Sequence, residues 1–203
     1  MSDLLKIIKS LDIKTAVVIM AHPDDETCWA GGLISSLPEI KWHSICCSYP
    51  RRLEEFDRKF DYLKACSSLN MCPHQIEKVE TDPKMSLDIV NELKDLNINQ
   101  YDVIITHGKD GDYGHAHHKS IHNQVLSLAE KPVIGTSYTG NYILPLTEKV
   151  YDKKMKALKE YKTNSYKIDG KSVEKWEALL YVYPILKNKE EKFEIYYKED
   201  YEV

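Results

Sequence analysis

No apolar run in this 203-residue chain approaches the roughly 20 residues that cross a bilayer, which argues against a membrane-spanning helix. The opening Met1-Ser2-Asp3-Leu4-Leu5-Lys6 lacks the apolar core of a signal peptide, being broken by charges. The five cysteines (28, 46, 47, 66, 72) are odd in number and show no CxxC spacing, so a disulfide framework is not indicated. Free, mostly buried thiols in a reducing cytoplasm are the expectation. There is no basic excess: 28 Lys and Arg stand against 32 Asp and Glu, for a net charge of -4, and nothing calls for nucleic acid. There is no internal repeat, low-complexity tract or linker, so a single domain over 1–203 is expected. A Gly-rich phosphate turn is missing after the first strand. Ser44, Ser48 and the cysteines lack a nucleophile elbow or a paired base.

What is present is an ordinary globular composition, 42% hydrophobic and 30% charged, with short apolar runs alternating with helical periods. The runs 15–20, 42–48, 75–79, 103–106 and 132–134 read as strands. Helical spacing covers 26–37, 51–70, 86–96 and 116–129. Gly31-Gly32 inside the first of these suggests close backbone packing. The order predicts an α/β chain: a Rossmann-like, doubly wound, mostly parallel sheet with helices on both faces. Its core spans about 14–136. The part 137–203 is less regular, with helices over 146–161 and 173–183 and a late edge strand at 193–197. Ten of the 14 tyrosines lie from Tyr138 onward, as compositional drift or as a wall for sugar rings or a subunit interface.

In such a sheet the ligand crevice lies outside the carboxyl ends of the first and fourth strands. The first strand runs into Ala21-His22-Pro23-Asp24-Asp25-Glu26, one imidazole and three carboxylates. Clustered acid of this kind is costly unless a cation sits among it. The fourth ends near His107 and opens a loop that reaches Gly114-His115-Ala116-His117-His118. A catalytic zinc takes about three His or carboxylate ligands and keeps a position open. His22 and Asp25 can aim at one point. The third ligand is to be sought among His115, His117, His118 and His122, and adjacent His117 and His118 point about 100° apart on a helix. His43 and His74 read as surface groups, His122 as a packing residue, and Glu26 as supporting or capping.

With these two motifs the chain resembles the LmbE-like, PIG-L-type metal-dependent de-N-acetylases of N-acetylglucosaminyl conjugates. The family pattern is AHPDDE after the first strand and a GHxxH-type element after the fourth. The resemblance covers the first two-thirds well and continues thinly into residues 156–161. It implies zinc, or Fe2+ or another divalent ion, held by His22, Asp25 and His118. It implies Asp24 as the general base, and His115 as the imidazole that steadies the oxyanion and protonates the leaving amine. It implies Tyr113 as an aid to the tetrahedral intermediate, and Arg51 or Arg52 as a substrate contact. Many members carry an acid or Asn where this chain has His117, which leaves the modulation of His115 to Asp110 or Asp112. His117 as a swapped-in ligand is the lesser alternative.

The function so implied is removal of an acetyl group from a small N-acetyl sugar or glycoconjugate, in the cytoplasm. It involves no nucleic acid and no membrane, and a homo-oligomer is left open. The alternatives are a non-catalytic metal-binding protein of the same fold and an amide hydrolase acting on a non-sugar substrate.

Overall fold

The computed structural model describes residues 2–49, 57–76, 78–79, 82, 84–163 and 166–198. Its centre is β1, Thr15–Met20, buried from Ala16 onward. Ala16, Val18 and Met20 enter one hydrophobic core, and Val17 and Ile19 enter another on the opposite side. A strand covered on both faces must be apolar at every position, so it reads as a continuous run rather than an alternation.

Beside β1 lie β2 (Lys41–Cys46) and β3 (Met71–Gln75) on one flank, and β4 (Val103–Thr106) and β5 (Val133–Thr136) on the other, all parallel. Beyond the short hairpin of β7 (Tyr166–Ile168) and β8 (Lys171–Val173), the chain returns as β9 (Glu190–Tyr196). That strand enters the sheet antiparallel between β5 and β6 (Tyr142–Pro145), giving the order β3-β2-β1-β4-β5-β9-β6. Helices α1 (Asp3–Ser10), α2 (Asp25–Ser36), α3 (Arg58–Leu69) and α7 (Glu148–Leu158) supply one core. Helices α4 (Val90–Asp95) and α6 (Ala116–Leu128) supply the other. Between β4 and α6 stands a one-turn α5, Gly111–Gly114, and α8 spans Lys175–Val182. The doubly wound, mostly parallel architecture expected from the alternation is therefore present.

Several boundaries differ for physical reasons. The third strand lies at Met71–Gln75, not 75–79, where Val79 makes only an isolated bridge to Tyr49. It is an edge strand with only Met71 buried, so it carries no apolar signature. The segment 86–96 is helical only from Val90. Before that, Ser120 and Gln124 of α6 hold the Leu87 carbonyl, and Gln124 accepts the Ile89 N–H at 2.7 Å, which keeps this stretch out of the helix. The late strand is interior rather than an edge, with Phe193 fully buried; the edge is β6. The helix expected from Arg51 is seen from Arg58, and residues 51–56 lie outside the described residues. All five cysteines are free and only Cys72 is exposed. The adjacent Cys46 and Cys47 fall in the two different cores. No described helix is long and apolar enough to cross a membrane.

Candidate active site

The strand order reverses between β1 and β4, so the loops leaving their carboxyl ends face one another. The first loop folds on itself. The His22 N–H donates to Asp25 Oδ2 at 3.0 Å, and Asp24 sits in the left-handed region at φ 111°. A non-glycine residue there costs of order 1–3 kcal/mol and persists where the surroundings hold it. In the second loop Asp112, φ 59°, turns its buried carboxylate back under the site. His115 then caps α6, its Nδ1 accepting the His117 N–H at 3.2 Å.

Three donor atoms converge. His22 Nδ1 lies 3.1 Å from Asp25 Oδ2 and 3.2 Å from His118 Nε2, and His118 Nε2 lies 3.3 Å from Asp25 Oδ2. Ligands about 2.0–2.1 Å from a tetrahedral zinc stand about 3.3 Å apart, so the triangle suits such an ion. The outer contacts suit it as well. His118 Nδ1 is 2.8 Å from Asp112 Oδ2, the Trp29 indole donates to Asp25 Oδ1 at 3.2 Å, and His22 Nε2 is 2.9 Å from His117 Nδ1. Partners of this kind fix the tautomer and orientation of metal ligands. His107 also approaches Asp25, at 3.6 Å. Its Nε2 accepts the Ala21 N–H at 2.8 Å, so its proton is on Nδ1, facing Asp112 at 2.6 Å. With that lone pair taken, and its ring stacked on His118 with centroids 3.7 Å apart, His107 acts as a strut. His115 can also join a set with His22 and His118.

Charge tells the same story. Burial pushes the His22 imidazole well below its ordinary value, leaving a neutral nitrogen donor. Burial opposes the charged form of Asp25, yet the His118 imidazole holds it well below the usual carboxylate range. Burial lowers His118, but Asp25 and Asp112 outweigh it and push it up to about 10. A cation between these two carboxylates is demanded, and a proton takes that role where no metal does. His115 is lowered to about 4 by burial and then by His118, so it is a neutral imidazole near pH 7. With Nδ1 accepting from His117, its proton is on Nε2.

One expectation changes. Asp112 orients His107 and His118, not His115. His117, whose backbone N–H donates to His115 Nδ1, stands outside the triangle and bridges His22 to the Asp82 carbonyl, 3.2 Å from its Nε2. His122 packs as expected, its ring nitrogen donating to the His107 carbonyl at 2.7 Å.

Asp24 is set apart from the triangle by Arg58, whose Nη2 donates to its Oδ2 at 2.7 Å and to the Pro23 carbonyl at 2.8 Å. Lys175 Nζ stands 3.4 Å from the same oxygen. Arg51 and Arg52 lie outside the described residues; the basic groups seen in the cleft are Arg58 and Lys175, neither of which the sequence marked. A cleft of about 150 Å³ opens over Asp24, Asp25 and His115. Its aromatic wall joins Trp29, Tyr113 and Tyr183, with Tyr113 and Tyr183 ring centroids 4.7 Å apart.

Glu26 faces inward. It accepts from Thr27 at 2.5 Å, Tyr161 at 2.6 Å and the Asp24 N–H at 3.2 Å. Burial, with nearby Asp24, pushes it up to about 7 from 4.5. A raised carboxyl favours folding fully below about pH 4.5 and loses that contribution as the pH rises through 7. Glu26→Gln should therefore gain on the native protein by about 2–3 kcal/mol between pH 5 and pH 8. Denaturant midpoints at both pH values check this; a constant difference would refute it.

Residues 17–129, more than half of the chain, match the family model described as PIG-L, GlcNAc-PI de-N-acetylase. Among solved structures, the N,N'-diacetylchitobiose deacetylase from Pyrococcus horikoshii aligns with a TM-score of 0.70 and 16% identity, over 95% of this chain and 87% of that one. GalB, the 4-carboxy-2-hydroxymuconate hydratase of Pseudomonas putida KT2440, gives 0.65 and 17%, over 91% and 97%. The zinc-inhibited form of teicoplanin deacetylase Orf2 gives 0.61 and 9%, over 89% and 96%. At these identities the likeness is one of fold. Since the fold hosts a hydratase beside deacetylases, the reaction has to be argued from the site.

Proposed function

Because the chain belongs to the PIG-L family of GlcNAc-PI de-N-acetylases, we propose that it is a metal-dependent hydrolase that removes the acetyl group from an N-acetyl amino sugar or its conjugate. The observation that carries the reading is the triangle of His22, Asp25 and His118 with a second carboxylate, Asp24, held beside it by Arg58.

His22, Asp25 and His118 are the residues that would hold the ion. A divalent ion, zinc or iron(II), supplies a Lewis acid that acidifies water and polarises a carbonyl. The remaining work falls to side chains. Asp24 faces the cleft with its Oδ2 tied to Arg58, and takes a proton from the attacking water. His115 turns an Nε2–H toward the cleft and donates to the amide oxygen as negative charge develops there, an effect worth roughly 3 kcal/mol for a single donor. A neutral imidazole is a poor acid, so the proton reaches the leaving nitrogen from Asp24. The C–N bond then breaks to give acetate and the amine. Tyr113, on the same wall, adds a second donor through its hydroxyl. The Trp29, Tyr113 and Tyr183 surface suits the apolar face of a sugar ring.

The test is acetate release from a panel of N-acetylglucosamine conjugates, with metal raised from below one equivalent because a protein of this fold is known in a zinc-inhibited form. Acetate should appear, vanish on chelation and return with one equivalent of metal. If no conjugate yields acetate in the metal-loaded protein, the reading fails. Release only from non-sugar amides would keep the hydrolase and discard the sugar.

A further inference from the structure

Asp24 holds a backbone conformation that a residue with a side chain disfavours, and the groups that keep it there reach beyond the cleft. At φ 111° such a residue persists only where its neighbours fix it. Its carbonyl starts α2, accepting the Thr27 and Cys28 N–H groups at 3.1 and 2.9 Å. Its carboxylate is held by Arg58, and its N–H ends on Glu26 Oε2 at 3.2 Å. The other oxygen of Glu26 accepts two hydroxyls, from Thr27 at 2.5 Å and from Tyr161 at 2.6 Å. Thr27 belongs to the same turn and moves with it. Tyr161 comes from elsewhere: it follows α7, lies outside the residues 17–129 that match the family model, and is fully buried. Its segment is fixed to α3, the helix that supplies Arg58. Asp61 Oδ2 accepts the Lys162 and Thr163 N–H groups, both at 3.0 Å, and the Thr163 hydroxyl at 2.8 Å. Arg58 and Asp61 share the first turn of one helix, so the Asp24 carboxylate and the Tyr161 hydroxyl are referred to a single rigid element. A phenylalanine would fill this core position as a ring; the hydroxyl goes to Glu26.

We propose that Tyr161 is a positioning residue for the cleft: through Glu26 it locks the Asp24 backbone in the conformation that aims the carboxylate at the attacking water. The part about water rests on the deacetylase reading above; the link from Tyr161 to the Asp24 backbone does not. With Oε1 anchored, Glu26 keeps Oε2 on the Asp24 N–H. Without the anchor the carboxylate turns about its last bond and releases the N–H, and the strained backbone of Asp24 relaxes. A shift of about 1 Å in a reacting group costs up to about 10²-fold in rate. The donor triangle is held by other partners, Asp112, Trp29 and His117, and stays in place.

Steady-state kinetics of acetate release, with metal content measured on each protein, test this. Tyr161→Phe should lower kcat by about tenfold, the order of one lost hydrogen bond to a carboxylate, with KM and metal content near native. Glu26→Met, similar in length but without an acceptor, should lower kcat at least as far. In the Glu26→Met background, Tyr161→Phe should have no further effect, because the hydroxyl then has nothing to hold. Full kcat in Tyr161→Phe, a loss confined to KM or metal content, or the same loss in both backgrounds would overturn the proposal and leave Tyr161 as a core ring.

Exchange of the Asp24 amide hydrogen with solvent, followed by NMR in the metal-loaded protein, needs no turnover. Relative to the amides of β1, it should quicken by about tenfold in Tyr161→Phe. Unchanged exchange would overturn the proposal. Quickened exchange, with no acetate from any conjugate even in the native protein, would uphold the link from Tyr161 to Asp24 and discard the deacetylase reading.

Discussion

Asp24→Asn should lower acetate release by about 10²–10⁴-fold while leaving metal content at the native level, and His118→Ala should instead empty the site. The two substitutions separate the labour of adjacent groups. Asp24 belongs to the cleft but not to the donor triangle: its Oδ2 is bound by Arg58 at 2.7 Å, whereas Asp25 Oδ2 lies 3.1 and 3.3 Å from the two imidazole donors. An asparagine keeps an oxygen for Arg58 and, of all residues, is among those that best tolerate φ near the 111° found here. It cannot accept a proton from water. His118 differs, because Asp112 aims its Nε2 at the triangle. Removing it leaves two ligands and two carboxylates around an unfilled position. Elemental analysis on both purified variants, with circular dichroism to show that each is folded, decides the matter. Full turnover in Asp24→Asn would sink its role as base. Native metal content in His118→Ala would remove it from the ligand set.

Much of this site could be read from the chain because buried parallel strands announce themselves. The runs 16–20 and 103–105 are apolar without interruption, and each is followed within two residues by histidine and soon after by acid. Two such endings on neighbouring strands must meet. His107 obeys the same logic, as the residue directly after the fourth strand, but the richer histidine cluster further on masks it. The contributions of Arg58 and Lys175 were not readable. Each is one basic residue at the start of its helix, and only the packing of α3 and α8 over the first loop brings them to Asp24. The short strands failed for a related reason. Half-exposed β3 and β6 have no burial pattern to impose a period, and β9 reads as an edge until its place between β5 and β6 is seen.

Lys154→Met should cost about 3–5 kcal/mol of stability, although Lys154 lies outside the cleft. Its ammonium is buried and paired with Glu191 at 2.7 Å, and it also donates to the Cys28 carbonyl at 2.8 Å. Glu191 in turn accepts the N–H groups of Gly32 and Leu33 at 2.7 and 2.9 Å. The pair is thus inserted against the middle of α2, from α7 on one side and β9 on the other. The glycines allow it: a Cβ at Gly32 would stand 2.6 Å from Leu146 and 2.8 Å from the Glu191 carboxylate. Without Lys154, Glu191 becomes a buried charge with only two backbone donors. Lys154→Met with Glu191→Gln should recover a large part of the loss, since glutamine keeps an oxygen for the helix and brings no charge. A coupling energy near zero in the double-mutant cycle would show that the two side chains act independently. The same helix carries Asp25 and Trp29 into the cleft, so the single variant should also weaken metal retention at temperatures below its unfolding transition. If α2 holds its place without the pair, metal loss and unfolding will instead coincide.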